Sequence, residues 1–191
     1  MRAKNWAVIG APKVGKSFIV EKLLPLLALR GVILDPSNSY VMQGAQYSSN
    51  PVVDVPWFLQ SSTGVLICHT QRGGADGGDV AIAATDAIVR LRDGGAPAWP
   101  CTIVFEEWGA TFPLGMRLKT KAPGINHILT RGRHLGVSVV LATQRWTHFT
   151  PQVRSCVDRF LIGRMQDPSE SRAVAATLML KDKLLLSRLP N

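Results

Sequence analysis

Residues 10–17, which read GAPKVGKS, constrain the fold of this chain more than any other feature. They fit the phosphate-binding pattern G-x-x-x-x-G-K-[ST] at every fixed position. The apolar run 6–9 before the motif has the length of a strand, and the apolar run 18–29 after it is compatible with a helix. A chance match to a glycine-rich turn would lack this strand–loop–helix context. The sequence therefore predicts a site for a nucleoside triphosphate.

The chemistry of this loop resides mainly in its backbone. Glycine at positions 10 and 15 lets the chain curl, so that successive N–H groups point at the phosphates. Lys16 is predicted to bridge the β- and γ-phosphates, and the Ser17 hydroxyl to bind Mg²⁺. The predicted ATP-binding residues are Gly10, Ala11, Pro12, Lys13, Val14, Gly15, Lys16, Ser17 and Phe18.

Composition narrows the class of protein. We expect the 191 residues, of which 46% are hydrophobic, to form a single domain over residues 1–191. The net charge of +9, from 22 basic and 13 acidic residues, suggests a polyanionic partner, although a basic surface that only aids solubility is the alternative. No apolar stretch approaches the roughly 20 residues that span a bilayer, and no signal peptide is expected. The three cysteines lack C-x-x-C spacing, which favours reduced core thiols over a zinc site.

Apolar runs of strand length alternate with segments compatible with helices. Because these runs are near-continuous, they are typical of strands buried on both faces of a parallel sheet. We predict an α/β fold with three layers, in which helices flank a mainly parallel central sheet. The predicted strands are 6–9, 32–35, 65–69, 102–106, 137–142 and 159–163. The predicted helices are 16–29, 79–92, 122–134, 151–156 and 169–178.

The predicted strand 102–106 ends in Glu106, and a second acidic residue, Glu107, follows it directly. Glu106 is predicted to hold Mg²⁺, and Glu107 to orient and deprotonate the attacking water. Taken alone, the pair would be two solvated glutamates at a strand end, but the upstream phosphate loop favours the catalytic interpretation. A water-activating glutamate is typical of a hydrolysing motor and not of a kinase.

A third polar element follows the strand 137–142. Gln144 stands at the carboxyl end of this strand, where ligands gather in open α/β sheets. Its amide is predicted to contact the γ-phosphate or the lytic water; the alternative is a cap on the following turn. The strand is preceded by a basic helix end that contains Arg131 and Arg133.

Three blocks carry a resemblance to a known group: GAPKVGKS, the Ile-Val-Phe-Glu-Glu strand end, and the segment 130–145, which reads TRGRHLGVSVVLATQR. Together they resemble the FtsK–HerA superfamily of DNA-pumping ATPases. This resemblance implies a three-layer P-loop NTPase fold of the RecA/ASCE type, with a mainly parallel central sheet flanked by helices. The small size is similar to the genome-packaging ATPases of tailless, membrane-containing double-stranded DNA viruses. The resemblance covers residues 5–180, and the last block is more specific than the phosphate loop.

The resemblance implies roles for particular residues. Lys16 and Ser17 match the Walker A pair, Glu106 and Glu107 the Walker B pair, and Gln144 the sensor. Arg131 or Arg133 occupies the region that sends an arginine finger into a neighbouring subunit, and Arg164 is a weaker candidate. The family usually has Asp where Glu106 stands, which we interpret as a variant that still reaches the metal through water.

The resemblance also implies a function and partners. It predicts a Mg²⁺-dependent ATPase that pumps double-stranded DNA into a viral procapsid, as a homo-oligomeric ring, usually of six subunits. It further implies a capsid or membrane vertex protein as partner, and a location in the host cytoplasm or at the packaging vertex of the virion. The alternatives are a DNA extrusion, conjugation or helicase-like ATPase, a small-molecule P-loop kinase, and a non-hydrolysing assembly protein.

A basic segment follows the strand that ends at the Glu106–Glu107 pair. Arg117, Lys119 and Lys121 alternate with other residues in a predicted loop, which we expect to grip DNA phosphates in the channel of a ring. An exposed basic loop without a partner is the alternative. Arg72 and the pair Arg145–Trp146 are further candidates. The four histidines, His69, His127, His134 and His148, lack metal-ligand spacing and are expected to be structural.

Overall fold

The computed structural model describes residues 3–38, 40–48, 50–69, 77–95, 99–112, 116–180, 182 and 185–189. Within these ranges one sheet contains seven strands, and every neighbouring pair is parallel. The strands are β1 (Asn5–Ile9), β2 (Arg30–Asp35), β3 (Gln46–Ser48), β4 (Gly64–His69), β5 (Cys101–Phe105), β6 (Val137–Thr143) and β7 (Arg159–Ile162).

The strand order places the three predicted site segments side by side. The order is β3-β4-β2-β5-β6-β1-β7, so β1 lies between β6 and β7 while β5 and β2 follow on the other side of β6. In the register, Ile9 of β1 aligns with Thr143 of β6 and with Ile162 of β7. Because the strands are parallel, their carboxyl ends meet at one edge of the sheet, here called the carboxyl edge, and their amino ends meet at the opposite, amino edge.

Helices cover both faces of this sheet. They are α1 (Lys16–Leu27), α2 (Pro51–Ser61), α3 (Gly77–Asp93), α4 (Trp108–Thr111), α5 (Leu118–Lys121), α6 (Pro123–Arg131), α7 (Pro151–Ser155) and α8 (Pro168–Thr177). Short 3₁₀ turns lie at Gly132–Leu135, Trp146–His148 and Leu185–Ser187. No helix in the described ranges is long and apolar enough to cross a membrane.

Two buried clusters define the layers. On one face, Val20 and Leu24 of α1 pack with Val8, Ile33 and Val140 of the sheet. On the other face, residues of β1, β2, β4, β5 and β6 pack against α2, α3, α6, α7 and α8, whose buried members include Phe58, Leu59, Ile88, Ile125, Ile128, Val153 and Val174. Strand side chains alternate between these clusters, as the two-residue period of a strand requires. The predicted three-layer P-loop NTPase fold with a parallel sheet is confirmed.

The elements differ from the prediction in identifiable places. All six predicted strands are present, but the three-residue edge strand β3 and the helix α2 were not predicted. Pro56 lies inside α2, and proline is a signal against a helix interior. The predicted helix 122–134 is wrong in its last part, because α6 ends at Arg131 and a 3₁₀ turn follows.

The three cysteines are free thiols. Cys68 and Cys101 are fully buried, which confirms them as core residues, while Cys156 is partly buried. Burial raises the pKa of the Cys68 thiol to about 12, and it also raises the pKa values of Cys101 and Cys156. These thiols therefore stay protonated near neutral pH and are poor nucleophiles.

Candidate active site at the carboxyl edge

The loop after β1 has the conformation that its glycines permit. Gly15 precedes α1 with a φ of 85°, in the left-handed region that favours glycine. A Cβ at Gly10 would meet Val14 Cγ2 at 2.7 Å, so a side chain at position 10 would not fit the curl. The backbone N–H of Ala11 donates to the carbonyl of Arg164 at 2.8 Å, which ties the loop to the segment after β7.

The Lys16 ammonium reaches back across this loop. Its Nζ donates to the carbonyl oxygens of Gly10 at 3.0 Å and Ala11 at 3.2 Å. Burial lowers the pKa of Lys16 from its ordinary value, and the nearby carboxylates of Glu107 and Glu106 oppose that shift. A partly buried cation thus lies at the start of a helix, where an anion is favoured by the helix dipole and by free N–H groups.

Ser17 and Glu106 meet beside the loop. The Ser17 hydroxyl donates to Glu106 Oε1 at 2.8 Å, while the other carboxylate oxygen, Oε2, is buried and makes no hydrogen bond in the described part of the chain. Burial raises the pKa of Glu106, and the charges of Asp35 and Glu107 act in the same direction. A buried acceptor with a spare oxygen, next to a hydroxyl, fits a hard divalent cation, because Mg²⁺ prefers oxygen ligands.

Glu107 lies on the side of the site that faces β6. Its Oε1 accepts a hydrogen bond from Thr143 Oγ1 at 3.0 Å, and His148 Nδ1 lies 3.9 Å from the same oxygen. Thr143 is fully buried at the carboxyl end of β6, and its backbone carbonyl accepts from the N–H of Gly10 at 3.2 Å. The second glutamate of the pair is therefore fixed close to the phosphate loop.

These groups line one cleft of about 540 Å³. Gln144 also lines this cleft, as predicted from its place after β6. The predicted residues in the lining are Pro12, Lys13, Gly15, Lys16, Ser17, Phe18, Glu106, Glu107 and Gln144, and the added ones are Pro36, Ser37 and Ala110. Groups that follow four strands, β1, β2, β5 and β6, thus converge on a single space that is large enough for a nucleotide.

Sequence reasoning missed the segment after β2. Asp35 is buried at the carboxyl end of that strand and accepts hydrogen bonds from Ser37 N, Ser37 Oγ and Tyr40 N, while His69 Nε2 lies 3.5 Å from its carboxylate. Tyr40 in turn donates its hydroxyl to the carbonyl of Ser17 at 3.2 Å. The turn built on Asp35 therefore shapes the wall beside Ser17. The sequence signal that could have identified this wall was Asp35 itself, an acidic residue at the end of a buried apolar run and directly before Pro-Ser.

The structure does not bring Arg131 or Arg133 to this cleft. Arg131 ends α6 and Arg133 lies in the following turn, so both precede the amino end of β6, at the opposite edge of the sheet. Arg133 Nη1 lies 3.3 Å from Asp158 Oδ1, and both side chains are partly exposed. Arg164 does follow β7 at the carboxyl edge, where its carbonyl holds the phosphate loop.

The predicted DNA-binding residues lie on a helix and not on a loop. Arg117 precedes α5, Lys119 and Lys121 lie within it, and all three are exposed, whereas Leu118 is buried. Arg117 and Lys119 line a second cleft, of about 430 Å³, here called the basic cleft. Its lining consists of Met116, Arg117, Leu118, Lys119, Thr120, Thr150, Pro151 and Gln152.

The other residues predicted to contact DNA were Arg72, Arg145 and Trp146. Arg72 lies outside the described residues. Trp146 is 1% exposed, so its proposed contact with DNA is wrong: the indole packs on Phe160, with ring centroids 5.3 Å apart. Arg145 is exposed but lies 3.5 Å from Asp167 and 3.6 Å from Glu170, two carboxylates that offset its charge.

The sheet order and the loop between β1 and α1 define the chain as having a P-loop NTPase fold. No protein-family model and no curated protein matches the chain. Solved structures do match it, so that the resemblance suggested by the sequence is confirmed at the level of the fold.

The genome packaging NTPase B204 from Sulfolobus turreted icosahedral virus 2 is similar over the whole chain. In its complex with sulfate the TM-score is 0.75 at 17% identity, covering 100% of this chain and 88% of that one. The complex with ATP-gammaS gives 0.74 at 16% identity, covering 99% and 88%. The cytoplasmic domain of the Thermomonospora curvata Type VII secretion ATPase EccC gives 0.52 at 18% identity, covering 98% of this chain and 22% of that one.

Proposed function

We propose that this chain is a Mg²⁺-dependent ATPase of the FtsK–HerA type that translocates double-stranded DNA and packages a viral genome into a procapsid. The observation that carries the proposal is the single cleft in which Lys16, Ser17, Glu106, Glu107 and Gln144 converge. The likeness to a genome packaging NTPase that covers 100% of this chain supports it. Residues 1–191 act as one domain in this proposal, since one sheet carries both apolar clusters.

Hydrolysis is assigned to groups already described. A water oxygen attacks the γ-phosphorus of ATP, its proton passes to the Glu107 carboxylate, and the bond from the γ-phosphorus to the bridging oxygen breaks. The electron pair of that bond stays on the β-phosphate of ADP, and Lys16 stabilises the charge that develops there. Gln144, which also lines the cleft, orients the water.

Ser17 and Glu106 would hold the metal ion in this scheme. The buried Oε2 of Glu106 and the Ser17 hydroxyl are the two oxygen groups that fit it. When bound, Mg²⁺ would neutralise charge on the β- and γ-phosphate oxygens. The ion would also relieve the cost of burying the Glu106 carboxylate near Asp35 and Glu107.

The test of this function is ATP hydrolysis by the purified chain, with and without double-stranded DNA, over a series of salt concentrations. A DNA motor gives turnover that DNA stimulates and that salt suppresses, because phosphate contacts release counterions. Transfer of the γ-phosphoryl group to a small acceptor, with no response to DNA, would identify a kinase instead.

Replacing Lys16 by alanine is expected to weaken ATP binding by about 10- to 100-fold. A hydrogen bond to a charged group contributes roughly 1.5–3 kcal/mol, and Lys16 supplies a partly buried cation to the phosphates. The measurement is titration with a fluorescent ATP analogue in the presence of Mg²⁺. Arg90→Ala, at an exposed basic residue of α3 that does not line the cleft, is the control and should bind ATP like the unaltered chain.

The basic cleft and Lys121, which lies beside it in α5, form the proposed DNA contact. Changing Arg117, Lys119 and Lys121 together to alanine is expected to weaken DNA binding and to flatten its salt dependence. Each lost phosphate contact lowers the slope of log K against log salt by about 0.9. Binding isotherms between 50 and 200 mM salt, the range over which such affinities change by orders of magnitude, measure this slope.

A charge-matched control separates this cleft from general electrostatics. Lys22, Arg90 and Arg172 are exposed on other helices, and their joint replacement by alanine removes the same net charge. An equal loss of slope in both triple variants would mean that the whole basic surface binds DNA, and that the cleft has no special role.

The proposed assembly is a homo-oligomeric ring, taken as a hexamer. Arg131 or Arg133 would enter the cleft of the neighbouring subunit and offset charge on the γ-phosphoryl group. Their position at the amino edge, far from the chain's own cleft, supports a role between subunits and not within one. A capsid or membrane protein at the packaging vertex would anchor the ring, in the host cytoplasm or in the virion.

A further inference from the structure

The Glu107 carboxylate is the end of a chain of hydrogen bonds. Thr143 Oγ1 lies 3.0 Å from Glu107 Oε1 and 3.0 Å from His148 Nδ1. A hydroxyl carries one proton, and a carboxylate can only accept, so Thr143 donates to Glu107. His148 must then donate from Nδ1 to Thr143. This order fixes which ring nitrogen of His148 carries the proton and leaves the histidine as the outer end of the chain.

The sequence makes room for this histidine at one position. Gly109 lies in α4, two residues after Glu107, and a Cβ on it would meet His148 Nδ1 at 1.9 Å. The imidazole therefore packs directly on the backbone of the helical turn that carries Glu107. A side chain at position 109 would therefore displace the imidazole from its present position, since the three atoms nearest to such a Cβ all belong to His148.

The segment that holds His148 also forms a wall of the basic cleft. His148 ends a 3₁₀ turn, Phe149 is buried against Trp108 with ring centroids 6.2 Å apart, and Thr150 caps the amino end of α7. Thr150 and the two residues after it line the basic cleft opposite Arg117 and Lys119. Only one buried residue thus separates the end of the hydrogen-bond chain from the cleft wall.

We infer that Thr143 and His148 are positioning residues that link occupancy of the basic cleft by DNA to the orientation of Glu107. DNA phosphates on Arg117 and Lys119 fix the wall at Thr150, the wall fixes His148, and His148 through Thr143 sets the carboxylate for proton transfer. The inference rests on the proposed function and adds to it the physical route by which DNA stimulates hydrolysis.

The test compares His148→Ala, His148→Asn and Gly109→Ala in the full chain with ATP, Mg²⁺ and double-stranded DNA. His148→Ala is expected to lower the DNA-stimulated kcat by about 10- to 100-fold, since small misplacements of catalytic groups cost up to about 100-fold. The KM for ATP stays unchanged. Asparagine places an N–H near the position of Nδ1, so His148→Asn retains most of the stimulation.

Gly109→Ala is the second, independent variant. It replaces no member of the hydrogen-bond chain but displaces His148, so we expect the same loss of DNA-stimulated kcat. The double variant Gly109→Ala/His148→Ala should be no worse than either single one, because both changes break the same link. His134→Asn, on an exposed histidine beyond α6, is the control and should behave like the unaltered chain.

Two results would overturn the inference, and they are distinguishable. If the unaltered chain is stimulated by DNA and His148→Ala is stimulated equally, the link through His148 does not exist, while the proposed function stands. If the unaltered chain does not hydrolyse ATP with or without DNA, the proposed function fails and the link fails with it. Circular dichroism of each variant shows that the fold is retained.

Discussion

Replacing Glu107 by glutamine is expected to lower ATP turnover by about 100- to 10,000-fold while ATP binding persists. General-base catalysis contributes a factor of this size, and an amide cannot take the proton of the attacking water. Glutamine still accepts the hydrogen bond from Thr143 through its amide oxygen, so the geometry of the cleft is kept. Single-turnover hydrolysis measures the chemical step, and titration with a fluorescent analogue measures binding.

A matched acid-to-amide change controls for charge. Asp79 is exposed in the first turn of α3, and Asp79→Asn should hydrolyse ATP like the unaltered chain. Full turnover by the Glu107 variant would exclude Glu107 as the base. Loss of ATP binding together with turnover would instead show that Glu107 supports the architecture of the site, as its proximity to Lys16 permits.

Joint replacement of Arg131 and Arg133 by alanine is expected to lower turnover by about 1,000-fold or more. Arginine fingers contribute 10³–10⁵ in rate in related phosphoryl transfer. Neither arginine lines the cleft of its own subunit, so in the proposed ring we expect the defect in the neighbouring subunit's site. The two single variants then show which arginine is responsible; Arg133, which pairs with Asp158, would have to leave that partner first.

A mixture of two inactive variants tests whether these arginines act between subunits. Chains with both arginines replaced keep their own cleft, and Lys16→Ala chains keep their arginines. In a mixed ring, a Lys16→Ala subunit can serve the intact cleft of its arginine-less neighbour, so activity returns although each variant alone is inactive. If mixtures stay as inactive as their components, Arg131 and Arg133 do not act between subunits.

Local sequence signals predicted the parts of the site that lie next to strand ends. The phosphate loop, the Glu106–Glu107 pair and Gln144 each directly follow a buried apolar run, and the parallel sheet brings these ends together. The helix α2 was not predicted because Pro56 lies within it and because its nearly continuous apolar residues show no helical period. The edge strand β3 is only three residues long, which is too short for a periodic pattern.

The supporting residues could not be predicted in the same way. Thr143 and Glu107 are 36 residues apart, and nothing local distinguishes Thr143 from another strand residue. His148 was expected to be structural, which its hydrogen bond fits, but its closeness to Glu107 depends on how α4 packs beside β6. Gly109 has meaning only once the imidazole beside it is known. Such contacts are set by tertiary packing, on which a single sequence carries little information.

The opposed edges of the sheet have a consequence for symmetry. The nucleotide cleft lies at the carboxyl edge, and the proposed finger arginines lie at the amino edge. In a two-fold dimer the same surface patch of both subunits forms the interface, so an arginine could reach the partner's cleft only if arginine and cleft belonged to one patch. Head-to-tail contacts instead bring the arginines of one subunit to the cleft of the next, and a closed assembly of this kind is cyclic. All subunits of that assembly would have the same orientation relative to its axis, so its two faces would differ. A DNA strand in its channel would therefore meet a different surface at each end.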